Sequence, residues 1–140
     1  MKRCYFIAQG NINNEQINLA ILQLVGLLPN LIDKGYERLT VGFQSNIDFA
    51  LAKIICDLKK ENKNIIFEII VPDQETLERK HSYSALALET CDGVGIINQG
   101  IVITYTDLIV AIWDGKSSSD IYNIVEFAKE RKKEVISIHI

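Results

Sequence analysis

Thr106-Asp-Leu-Ile-Val-Ala-Ile-Trp-Asp-Gly-Lys-Ser-Ser-Ser-Asp120 decides the fold. Leu108 to Trp113 is an apolar strand that empties into Asp114-Gly115 and a run of hydroxyls. Asp120 or Ser119 can cap the amphipathic helix that follows and ends near Lys133. A further apolar run, Val135 to Ile140, reads as the strand that closes the unit. Strand, polar loop, helix and strand in that order form the βαβ unit of an α/β fold that handles nucleotides at its strand ends.

The same alternation extends upstream. Cys4 to Ala8 reads as a buried first strand that ends at Gln9-Gly10-Asn11. Asn13 or Asn14 can cap a helix through Lys34, with Ile17, Ala20, Ile21, Leu24, Leu27, Leu28 and Leu31 at helical spacing. Gly35 terminates it, and Pro29 predicts a kink or a break. Arg38 to Val41 is the second strand, and Gly42-Phe-Gln-Ser-Asn46 leads into a helix carrying Ile47, Leu51, Ile54, Ile55 and Leu58. Ile65 to Val71 is a β-branched third strand, after which Pro72-Asp73-Gln74-Glu75 opens a helix predicted to run to about Cys91. Val94 to Ile97 is the fourth strand, and Asn98-Gln99-Gly100 a turn. Ile101 to Tyr105 fits a short helix or an extended connector, serving as a contact surface, a site wall or core filler. The expectation is one Rossmann-like α/β domain over residues 1 to 140, with a doubly wound, mostly parallel sheet of about six strands.

Composition narrows the partners. Apolar residues make up 48% and charged residues 24%, with eight glycines and two prolines, the profile of a compact protein. At 140 residues such a chain buries roughly two-thirds of its unfolded surface without disulfides or metals. The net charge is −3, and the basic run Lys129, Arg131, Lys132 and Lys133 falls at a predicted helix C-terminus, where it complements the dipole. Nucleic acid is therefore not the expected partner. Cys4, Cys56 and Cys91 stand apart in apolar surroundings, as three small buried residues of a reducing compartment do. The apolar run at the N-terminus is too short for a signal segment and no run reaches about 18 residues, so the expectation is a cytoplasmic protein with no membrane partner.

In a parallel sheet, ligands bind beyond the carboxyl ends of the strands, where helix N-termini offer free N–H groups. Four segments should land there: Gln9-Gly10-Asn11, Gly42 to Asp48, Asn98-Gln99-Gly100, and Asp114 to Asp120. The expected ligand-binding set is Gly10, Gly42, Gln44, Asn46, Asp48, Asn98, Asp114, Ser118, Ser119 and Asp120. Asp48 and Asp114 would accept hydrogen bonds from ribose hydroxyls or an amino group, and backbone N–H groups would take any phosphate. Asp48 also reads as an ordinary helix cap, and the Asp114 to Asp120 loop as a plain connection. His81 and His139 read as structural or surface residues, and no metal site is expected. The sequence contains no G-x-x-x-x-G-K-[ST], no G-x-G-x-x-G and no H-E-x-x-H.

At these loops the chain resembles the SLOG superfamily, in particular its short stand-alone YpsA-like members. The closest match to that family's Ser-Asp-x-x-Ile-Ala-x-Trp/Tyr-Asp-Gly motif is Thr106-Asp107-Leu108-Ile109-Val110-Ala111-Ile112-Trp113-Asp114-Gly115. Gly42 and Asp48 match its Gly-x-Asp segment, Pro72-Asp73-Gln74-Glu75 resembles its Pro-x-x-Gln-Glu, and Tyr83 falls where the family often has a tyrosine. Cys91-Asp92 resembles its Ala-Asp, and Asn98 to Val102 a shortened form of its Arg-Asn-x-x-Met-Val segment, without the arginine. Where the family has Gly-Thr, this chain has Ser119-Asp120. The resemblance implies recognition of nucleotides or nucleotide-derived molecules, ADP-ribose-like ligands among them.

Three functions follow as expectations. The first is a small nucleotide-like ligand-binding protein, sensor or sequestering. The second is a hydrolase or transferase of a nucleoside's glycosidic bond; related folds place a catalytic glutamate on the last helix, where Glu126 would fall. The third is a degenerate SLOG-type fold kept for protein contact or assembly, with homo-oligomers a natural outcome for a domain of this kind.

Overall fold

A computed structural model describes residues 2–80 and 84–140. The chain forms β1 (Arg3–Ala8), α1 (Asn14–Asp33), β2 (Arg38–Val41), α2 (Asn46–Glu61), β3 (Ile66–Val71), α3 (Gln74–Lys80), α4 (Ala85–Thr90), β4 (Gly93–Ile96), α5 (Gln99–Thr104), β5 (Leu108–Trp113), α6 (Tyr122–Glu130) and β6 (Glu134–His139). Every strand pair is parallel, and the order across the sheet is β4-β3-β2-β1-β5-β6. The chain winds outward from β1 to β4, then crosses back to lay β5 on the other side of β1. The order therefore reverses between β1 and β5, which puts the crevice of a doubly wound sheet at their carboxyl ends.

The two faces are covered unequally. One face packs Leu39, Val41, Phe67, Ile69 and Val110 against Leu24 and Leu28 of α1, Leu51 and Ile55 of α2, and Ala87 of α4. The other packs Tyr5, Ile7, Ile109, Ala111 and Trp113 against Val102 and Ile103 of α5 and Val125 and Ala128 of α6. That second cover has only six residues in α5 and nine in α6, so part of the face stays open beside them. On this side Glu68 Oε1 meets Arg3 at 3.2 Å and Arg38 at 3.6 Å and accepts from the buried Thr40 hydroxyl at 3.2 Å.

Several expectations change in detail. Pro29 does not break α1, which runs through it to Asp33. Pro29 is exposed, so the Val25 carbonyl it leaves without a donor can be hydrated. The helix expected to run from Pro72 to Cys91 is two helices, because Ser84 has a non-helical backbone and starts α4 afresh. His81 and Tyr83 lie outside the described residues. Ile101 to Tyr105 belongs to a short helix with its N-cap at Asn98, whose side chain accepts from Gly100 N–H at 2.7 Å. Val102 and Ile103 turn inward, while Ile101 and Tyr105 stay exposed. Cys4 and Cys56 are buried, but Cys91 is only half-buried.

Among the described residues, α1 is the one helix whose length and composition would let it cross a membrane. Its apolarity has two sources. Leu24, Leu28 and Leu31 are fully buried against the sheet, and Leu19, Leu22 and Val25 face outward, 50%, 73% and 53% exposed.

Candidate functional site

Beyond the carboxyl ends of β1 to β4, on the side carrying α5 and α6, lies a cleft of about 830 Å³. That volume is ample for a ligand of nucleoside size. Tyr5, Ile7 and Ile70 come from the strands, Gly42, Gln44, Ser45 and Asp48 from the β2–α2 turn, and Ile97 to Gly100 from the entry to α5. The opposite wall is Asp120, Ile121, Asn123, Ile124 and Phe127, from the start of α6 and the loop before it.

The β2–α2 turn is built from its own sequence. Ser45 caps α2: its Oγ accepts from Asp48 N–H at 3.4 Å. Asp48 Oδ2 in return accepts from Ser45 N–H at 3.2 Å and from Gln44 N–H at 3.0 Å. This is a capping box with one extra donor taken in from the loop. A Cβ on residue 42 would lie 3.0 Å from Asp48 Oδ2, so glycine is needed there for the carboxylate to sit under the turn. Burial pushes the Asp48 pKa up, outweighing the N–H bonds that favour its ionised form.

The β5–α6 loop does something different. Asp120 or Ser119 is expected to cap the last helix, but α6 starts at Tyr122 without a side-chain cap from either. Asp120 instead reaches across the crevice, and both its oxygens accept from the Gly10 N–H, at 3.2 and 3.1 Å. Ser119 Oγ takes the nearby Ile121 N–H at 3.3 Å. Residue 10 must be small for this contact, since a Cβ there would stand 3.1 Å from Asp120 Oδ2.

Tyr5 lies beneath the cleft, 2% exposed, and its hydroxyl accepts a hydrogen bond from Gln99 Nε2 at 3.1 Å. Burial raises its pKa, and the Asp48 charge adds to the rise against the Gln99 bond. The phenol thus stays protonated, a neutral hydrogen-bonding group at the cleft floor.

Of the residues expected to bind a ligand, Gly10, Gly42, Gln44, Asp48, Asn98 and Asp120 line this cleft. Asn46 faces a smaller hollow with Gln9, Asn11 and Ile17. Asp114, Ser118 and Ser119 do not line the cleft. Asp114 is held in a turn of its own: its Oδ1 accepts from Lys116 N–H at 2.8 Å, and its N–H donates to Gln9 Oε1 at 3.2 Å. Glu126 also lies outside the cleft lining and pairs with Lys129 at 3.6 Å on the α6 surface. Sequence reasoning missed Tyr5, Asn123, Ile124 and Phe127, and placed Gln99 at the strand ends only as part of its segment. Tyr5 carried a signal, a phenol within a buried strand, whose hydroxyl needs a polar partner. The α6 residues carried none, because their inward direction depends on where that helix begins.

Among the described residues no lysine, arginine or histidine lines the cleft, and no cluster of His, Cys, Asp or Glu could hold a metal ion. The polar lining is two carboxylates, amides and hydroxyls, and the rest is apolar. The class is thereby defined as a Rossmann-like α/β domain with a strand-end cleft on one face. Set beside known proteins, the chain matches no family model and no curated protein.

Proposed function

We propose that this protein is a cytoplasmic ligand-binding protein, a sensor or sequestering domain, that holds a nucleotide-derived small molecule in the strand-end cleft. The observation that carries the reading is the cleft's composition and place. It lies at the carboxyl ends of a doubly wound sheet and sets amide and carboxyl groups around an apolar patch of Ile70, Ile97, Ile124 and Phe127. A planar base fits against that patch, and Asn98, Gln99 and Asn123 can pair with its polar edge. The resemblance to the SLOG superfamily supports the same ligand class.

Thermal unfolding against a panel of nucleosides, nucleotides, NAD and ADP-ribose tests this. A ligand at 100 times its dissociation constant adds about 2.7 kcal/mol, a shift of several degrees for a domain of this size. A melting temperature that no member of the panel moves would reject the reading.

A second reading, self-association, has its own observation. The outward side of α1 exposes Leu19, Leu22 and Val25, and Glu15 and Asp33 are the only charged residues in the helix. With no basic flank in the helix to draw it to an anionic membrane, a second copy of this chain is the partner that face fits. Light scattering of the wild type and of Leu22→Lys checks it: a dimer that the substitution converts to monomer is the expected result, and a monomeric wild type would discard the idea.

A further inference from the structure

One backbone N–H at the crevice is already taken from within the chain. In a doubly wound sheet the turn after the first strand, next to the reversal of strand order, is part of where a ligand phosphate is received. Here that N–H belongs to Gly10, and both oxygens of Asp120 accept from it. Asp120 arrives from 110 residues away in sequence, so the contact is a product of the fold rather than a local turn. The loop that would close over a phosphate thus brings an acid in its place.

The rest of the cleft agrees in charge. Asp48 supplies a second carboxylate and, among the described residues, the lining holds no cationic side chain, so a phosphate would meet like charge with no side-chain cation to offset it. The remaining polar groups, among them Gln99, Asn123 and the Tyr5 hydroxyl, suit a ligand rich in neutral donors and acceptors. Resting on the ligand-binding reading above, we infer that the cleft is selective for phosphate-free ligands, neutral or cationic nucleosides or their bases, and that Asp120 is the residue that excludes the phosphorylated forms.

The test is calorimetric titration of the full chain with adenosine, guanosine, cytidine and uridine, each beside its 5′-monophosphate, and with ADP-ribose, at low salt where charge effects are largest. The expected result is that at least one nucleoside binds and its monophosphate binds at least ten-fold more weakly. Asp120→Asn keeps the oxygen that Gly10 N–H donates to and removes the charge. It should narrow that gap to a few-fold or less. Circular dichroism and the melting temperature establish that the variant is folded, and Asp120→Ser is a second uncharged variant if it is not. A monophosphate or ADP-ribose that binds as tightly as the nucleoside overturns the inference and leaves the ligand-binding reading standing. A gap that persists unchanged in the uncharged variants removes Asp120 as its cause. Absence of binding across the whole panel overturns the reading on which the inference rests.

Discussion

Asp48 and Asp120 are both strand-end carboxylates that line one cleft and spend their oxygens on backbone N–H groups, yet they are held in opposite ways. Asp48 bonds to residues three and four positions before it, inside a capping box on a sixteen-residue helix. Asp120 bonds to Gly10 across the crevice, in an exposed contact, and leaves its own helix uncapped. The first carboxylate is part of the scaffold, and the second is an exposed group that spans the site. The difference teaches that two similar acids in one cleft need not share a role, and that the range of each one's contacts separates structure from selectivity.

The largest expected effect tests the scaffold half of that contrast. Asp48→Ala leaves the Ser45 cap but removes the reciprocal half of the capping box and strands the Gln44 and Ser45 N–H groups, which should cost about 2 kcal/mol and lower the melting temperature by roughly 5 °C. Next come the two glycines. Gly42→Ala presses on a carboxylate fixed by two N–H bonds and should cost about 1 kcal/mol, whereas Gly10→Ala meets a carboxylate free to swing into solvent and should cost less than half as much. Equal losses in paired urea titrations would erase the distinction between the two acids.

The pH response sharpens it further. Because the folded Asp48 carboxyl holds its proton to higher pH than the unfolded one, its contribution is greatest below the unfolded carboxylate range and falls as pH rises through the folded value. Asp92 runs the other way. Burial would raise it, but Lys59 at 2.6 Å and the Phe67 N–H at 2.7 Å bring it below the ordinary range. Its contribution is present above the unfolded carboxylate range and lost as pH falls through the folded value. As pH falls from about 6 to 4, Asp48→Asn should therefore lose more stability than the wild type, and as it falls further below about 4, Asp92→Asn should lose less. Urea midpoints at several pH values decide this, and the reverse ordering would refute the raised Asp48 carboxyl. The smallest effect belongs to Asp120→Ala, which should stay within about 0.5 kcal/mol of the wild type in the absence of ligand.

What could be read in the chain divides along the same line. The strand Leu108 to Trp113, the cap Asn13 as one of two candidates, and the parallel sheet were carried by local pattern, because apolar periodicity and cap chemistry act over a few residues. Asp48, read as the cap of its helix, is instead the third residue of a box whose cap is Ser45. The turn from Gly42 to Asp48 was legible for the same reason. Asp120 was legible as an acid beside a helix start but not as Gly10's partner, since only the reversal of strand order brings residues 10 and 120 together. Tyr5, Asn123 and Phe127 meet across the cleft through packing of α6 on β1, which no spacing along the chain records.

The order of the strands also sets a schedule for the chain as it is made. β1 can pair with β2 once residues 38 to 41 exist, but its other edge waits for residues 108 to 112. At typical elongation rates that edge stays open for about 5 to 20 seconds, with Tyr5 and Ile7 still lacking their neighbours Ile109 and Ala111. The strand at the heart of the sheet is the first of the six to be synthesised and among the last enclosed, so folding of this sheet is tied to synthesis of β5 and β6.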